Sequence, residues 1–403
     1  MTISLELFRR ELSALSVSDN ADYAVYRMKL RIVVVASAAL LLALALTQLS
    51  RRRQANAPPT APPASEVVSM PEAPEPELPP QVSLLTPAAA SPAAVVSNSP
   101  SASATNWLQR LLSEDGESLK LPREDIDRWL ASGRTNAEDL LAARQAGGGL
   151  EFLRMALTNF PDDPRVLFAA SALDDGPEAR RERLDRFKAA APDNALADYL
   201  SAREHLKNAQ PEQAQADLLA ASGKTGFQDY TLDAIQNAED LFLQSGKSPA
   251  EAKAMASSSV LLPHLAQLKG LAQEMAILQR QYLAGGDAAS AENLAALGLQ
   301  LGQRLGTGEA SHTLISQLVG IAVERIVLNP LDAERSYDFL GASAREHIDQ
   351  LTARRAAVRQ DTQLFDAWMR QATDADIVSY FDRFKIYGES SAMAWIRQRQ
   401  GAR

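Results

Sequence analysis

Eighteen consecutive uncharged residues, opening on Ile32 and closing on Leu49, constrain this chain more than any other stretch. Wound as an α-helix at about 1.5 Å per residue, they extend roughly 27 Å, close to the thickness of a bilayer's hydrocarbon core. The run has no polar face, as lipid requires and as a core helix of that length normally does not. Arg27, Lys29 and Arg31 precede it, and Arg51, Arg52 and Arg53 follow it. A removable leader would place small residues at a cleavage site where these three arginines stand. The expectation is a retained single-pass transmembrane helix over 32–50, membrane-bound through Ile32 to Leu49. Basic residues tie beside the span, while Arg9 and Arg10 add weight to the amino-terminal side. No Lys or Arg falls between Arg53 and Arg110. That asymmetry predicts a cytoplasmic tail at 1–31 and an exported head.

Within the tail, Leu5, Phe8, Leu12 and Leu15 recur at helical spacing, so 1–31 is expected to be partly helical. Beyond the span, 51–105 reads as a disordered proline-rich linker. Residues 54–104 hold twelve of the chain's 21 prolines and no glycine. Proline favours an extended backbone, and the accompanying Ala, Ser, Val and Glu bury too little apolar surface to fold. The segment is a stiffened spacer; Pro76-Glu77-Leu78-Pro79 also has the spacing of a ligand for proline-binding modules.

From 106 to 403 the signals are helical throughout. Thr135 with Glu138, and Ser343 with Glu346, have the spacing of capping boxes. Ser248 is placed to cap a helix with Pro249 at its first position and Glu251 at its third, and Asp163-Pro164 makes a similar start. Gly133, Gly246 and Gly341 fall where helices should stop. No segment alternates with period two, so the head is expected to be all-α, with about a dozen helices. Long helices are expected around 260–284, 287–305 and 309–328, with 229–403 forming a carboxy-terminal helical part. The third of these is apolar nearly all round, the mark of a central core helix. The aromatics Tyr380, Phe381, Phe384, Tyr387 and Trp395 are expected to seal the end of the stack.

Two stretches repeat. Phe160-Pro161-Asp162-Asp163-Pro164 and Ala191-Pro192-Asp193-Asn194-Ala195 each put a Pro-Asp turn at a helix start. In the second unit Ala202, Ala214 and Ala221 are small where two helices must cross closely, and Leu218 fills the gap beside them. Residues 207–213 supply the turn between that pair. Over about 150–228 this resembles the tetratricopeptide repeat, and the whole head looks like membrane-anchored helical-repeat proteins of bacteria whose function is uncharacterised. The resemblance implies a superhelix of hairpins whose first helices line a concave groove, here through Arg165, Phe168, Tyr199, Arg203 and Lys207. Basic groups beside aromatics suit an acidic peptide or a carboxy-terminal tail. With the export signals, it also implies a bacterial inner-membrane protein with a periplasmic head.

Catalytic patterns are missing. His205, His264, His312 and His347 form no metal-ligand spacing, and no nucleophile elbow occurs. Ser222-Gly223-Lys224-Thr225 ends like a phosphate loop but has Leu218 in place of the first glycine, so it reads as an interhelical turn. Gly147-Gly148-Gly149 reads as a helix-breaking loop. The chain has no cysteine, which removes disulfide and zinc–thiolate chemistry. A net charge of −9 disfavours nucleic acid as a partner. No catalytic, cofactor-binding or metal-binding residue is expected, and the chain reads as a scaffold or adaptor for a protein or peptide partner rather than an enzyme. The alternatives are an exported all-α glycan lyase or hydrolase, and a structural or assembly subunit that binds no ligand.

Overall fold

The computed structural model describes Trp107, residues 120–307 and residues 312–401. The tail, span and linker expected over 1–105 lie outside the described residues. The chain splits into two units, and all the described residues belong to the one that takes in 103–113 and 117–403. Among the described residues no helix is long and apolar enough to cross a membrane.

The unit is mostly helical, as its composition predicts. In chain order the helices are α1 (Arg123–Ala131), α2 (Ala137–Ala143), α3 (Gly149–Asn159), α4 (Pro164–Ala170), α5 (Pro177–Ala190), α6 (Ala195–Lys207), α7 (Pro211–Gly223) and α8 (Thr231–Gln244). There follow α9 (Pro249–Ser259), α10 (Pro263–Ala284), α11 (Ala288–Gly306), α12 (Leu314–Leu328), α13 (Ala344–Met369), α14 (Asp374–Tyr387) and α15 (Glu389–Gly401). Between α12 and α13, β1 (Ser336–Tyr337) pairs antiparallel with β2 (Ala342–Ser343). Strands this short leave no alternation to read.

Local chemistry sets most helix starts. Asp163, Ser248 and Ser343 accept first-turn amides as expected, and Ser343 with Glu346 completes a capping box. The box expected at Thr135 and Glu138 is displaced by one residue. Asn136 accepts the Asp139 amide at 2.8 Å, and Asp139 accepts the Asn136 amide in return. Glu138 is left to pair with Arg165. Gly133 and Gly246 follow helices as expected, whereas Gly341 turns the β-hairpin at φ +63°. At 147–149 the helix breaks as expected: the chain leaves α2 through a wider π-type turn (Arg144–Gly148), and non-helical angles at Gly147 (φ +114°) and Gly149 (φ +74°) kink it before α3.

Chain neighbours pack as pairs, most closely α6 with α7 and α11 with α12. Ala202, Ala214, Ala221 and Leu218 are all buried in the α6–α7 pair, which permits its close approach. The succession breaks at α8, which packs back on α2, so that α10 takes the place beside α6. Helix α9 meets α14, and contacts close into a circuit: α2, α4, α5, α6, α10, α12, α13, α15, α14, α9, α8 and α2 again. The main core runs through α5, α6, α7, α10, α11 and α12. Each fully buried leucine in it, such as Leu268 or Leu301, contributes about 2 kcal/mol.

Helix α12 is central, as its all-round apolarity predicts, with α10, α11 and α13 against it. Its approach to α11 depends on glycines. A Cβ on Gly320 would stand 2.6 Å from the Gly306 nitrogen, and one on Gly302 would stand 3.0 Å from the Gly320 oxygen. Gly298 likewise faces Val327. With the backbones this close, α12 is pinned, and its far side becomes the floor of a groove against α10 and α13.

Candidate functional site

The five residues implied by the repeat do not share one open surface. Tyr199 is 1% exposed, packed on Phe227 beneath the Arg304 guanidinium. Burial above all pushes its hydroxyl up to about 12. Phe168 joins Phe187, Tyr230 and His264 in a ring cluster. Arg165 is held by Asp163 and Glu138. Only Arg203 and Lys207 come together. Lys207 reaches Glu204 at 3.1 Å, while Arg203 lies over Gly270 of α10 and 3.7 Å from Glu204. Glu274 adds a second carboxyl beside them, raised by burial and lowered by the charges of Arg203 and Lys207. Glu204 is thus the acid that pairs with both, while Glu274 forms no ion pair with them.

Three histidines lie beside carboxylates. His264 Nε2 stands 3.1 Å from Asp229, and His347 Nε2 stands 2.8 Å from the wholly buried Glu324. His205 shares a cluster with Ser201, Asp217 and Arg181, where α5, α6 and α7 meet. The members suggest a nucleophile, but the bonds do not. Ser201 donates to Asp217 and accepts from Arg181 at 2.6 Å, while His205 Nε2 faces Arg181 Nη1 at 3.0 Å. Ser201 is wholly buried, its proton points to a carboxylate already paired with Lys188, and among the described residues no histidine hydrogen-bonds to it, so it has neither the usual histidine base nor access to substrate. Among the described residues no group of three or more His, Asp or Glu could hold a metal ion.

The groove beside α12 is different in kind. Gln273, Ala276, Ile277 and Arg280 of α10 form one wall, Arg325, Ile326 and Asn329 of α12 the floor, and Ile348 of α13 the other wall, around about 610 Å3. A second hollow, at Trp368 and Arg399, holds about 20 Å3, room for little more than a water. Ile277 is 52% exposed, unusual for an isoleucine in the middle of a long helix. Positions 273, 276, 277 and 280 share one helical stripe, so α10 offers a mixed apolar and basic edge.

Along α13 the same wall turns basic. Arg325 donates to the Thr352 hydroxyl at 2.7 Å, which brings it across to α13. Ile348, Thr352, Arg355 and Arg359 recur at spacings of four, three and four, on one face. Arg355 is half-buried, and its guanidinium is depressed first by that burial and then by the charges of Arg359 and Arg325. Among the described residues Arg280, Arg355 and Arg359 have no carboxylate partner, in a chain of net charge −9. The sequence signal was the exposed stripe of α10 and the paired arginines of α13; what it lacked was the packing that sets them side by side. No family model, curated protein or solved structure matches the chain.

Proposed function

We propose that this chain is a membrane-anchored helical-repeat scaffold that binds a partner protein through the groove between α10, α12 and α13. The uncharged span at 32–49 anchors it, the proline-rich linker at 51–105 carries the head away from a bacterial inner membrane, and the head works in the periplasm. The buried small residues of α6 and α7 support a hairpin unit of the tetratricopeptide kind.

One observation carries the binding role: an open groove of about 610 Å3 lined by the exposed Ile277 together with Ile326 and Ile348. A hollow of this size with apolar lining and a few polar groups is the usual form of a recognition site. The experiment is co-purification of the full-length chain from membranes, comparing wild type with Ile277→Asp and with Leu219→Asp on α7. Loss of a partner from the first variant alone is expected. Identical partner sets in all three would contradict the proposal.

A further inference from the structure

We infer that the groove's occupant is an acidic amphipathic helix of a partner protein, which sets its apolar face on Ile277, Ile326 and Ile348 and its carboxylates against Arg280, Arg325, Arg355 and Arg359. The inference rests on the binding role just proposed and specifies its ligand.

Charge is the first argument. Arg325 reaches Thr352, three residues before Arg355 on the same α13 face, and Arg359 follows four residues after it; burial and then these two charges depress Arg355, and among the described residues none of the three has a carboxylate partner. Half-buried guanidiniums ranged along one face repel one another, and a carboxylate between them removes that cost and adds forked hydrogen bonds. Elsewhere the chain supplies such acids itself, as Glu204 does for Arg203 and Lys207, and Glu239 and Asp382 do for Lys253. Here it leaves the place open.

Shape is the second. All three walls are helices, and a helix fits a helical groove by ridges between ridges. From Ile348 to Arg359 the α13 face runs eleven residues, about 16 Å, or three turns of an incoming helix. Strand addition has nothing to join, since the described hairpin has only two-residue strands. Anionic lipid would also satisfy arginines. A chain carrying −9 is repelled by an anionic bilayer, however, and walled isoleucines suit side chains better than a flat headgroup layer.

The test uses the full-length chain in zwitterionic phosphatidylcholine nanodiscs. The probe is a labelled synthetic helix of about five turns, ~18 residues, with leucines at helical spacing and glutamates elsewhere. A second peptide carries glutamine at every glutamate. The glutamate peptide should bind more tightly, and more weakly as salt rises. Arg355→Gln with Arg359→Gln should weaken it about tenfold, and the Lys versions should recover part of the loss. Circular dichroism of each variant checks the fold, and the Lys pair keeps the test decisive if the Gln pair misfolds. Equal binding of the two peptides, or no binding of the glutamate peptide, overturns the inference. So does co-flotation with phosphatidylglycerol vesicles that is lost in the same variants while the peptide is ignored. If Ile277→Asp still removes the co-purifying partner in those cases, the groove role survives without its acidic ligand; if it does not, both fail.

Discussion

Asp229 accepts the Thr231 amide at 3.0 Å and lies 3.1 Å from His264 Nε2, in the angle where the chain enters α8. Burial pushes its carboxyl up, but these bonds outweigh burial and leave it below its ordinary value. Glu389, at the start of α15, is the opposite case. Burial lifts its carboxyl above the ordinary value, against the Leu314 amide at 2.6 Å and the Tyr380 hydroxyl at 3.3 Å. The two therefore act on stability with opposite sign. Asp229 contributes stability above the unfolded carboxyl value of 3.8, lost as pH falls below it. Ionised Glu389 costs stability at neutral pH, and that cost vanishes as pH falls through its raised value. Asp229→Asn should lose about 1 kcal/mol at neutral pH and converge on wild type in acid. Glu389→Gln keeps acceptor and donor for both neighbours, so it should match or exceed wild type at neutral pH and lose that advantage below the unfolded value of 4.5. Thermal melts across pH check both, and parallel curves for the two variants would contradict the assignment.

At the scale of elements, the α11–α12 crossing fixes where the groove floor lies. Gly320→Ala puts a methyl 2.5 Å from the Gly302 oxygen, backbone that cannot swing aside, and should cost about 3 kcal/mol in denaturant unfolding. Gly223→Ala, at the end of α7 with no atom within 4 Å of the new carbon, should be neutral or stabilise by about 0.5 kcal/mol. Equal effects would mean that the crossing is looser than described. Helix starts were legible in the sequence because a cap is a contact across three residues. Ser248, Asp163 and Ser343 could be assigned by spacing alone. Thr135 failed because its neighbour Asn136 offers an equivalent oxygen one residue later. The apolar surround of α12 marked it as central for the same local reason. The return of α8 to α2 was not legible, since nothing in 231–244 names a partner about a hundred residues earlier. Tyr199 and Phe168 looked like groove residues while only their spacing was known, and packing made them core.

On the whole-molecule scale, the circuit of helices is closed where α8 and α9 meet α14, and charge makes that joint. Lys253 reaches Glu239 at 2.7 Å and Asp382 at 2.6 Å, while Lys385 reaches Glu239 at 2.5 Å. Burial works against the Lys253 charge, but the two carboxylates outweigh it and raise the group above its ordinary value. At this joint acids and bases answer one another, whereas among the described residues Arg280, Arg355 and Arg359 beside the groove have no carboxylate partner. The site is built from distant parts of the chain, because α10 and α13 both pack on α12. The most direct measurement is photo-crosslinking in living cells from benzoylphenylalanine at position 277, with position 219 on α7, equally exposed, as comparison. Crosslinks from 277 to an acidic helical stretch of one protein, and none to it from 219, are the result expected. Crosslinks that are alike from both positions, or absent from 277, would contradict the account.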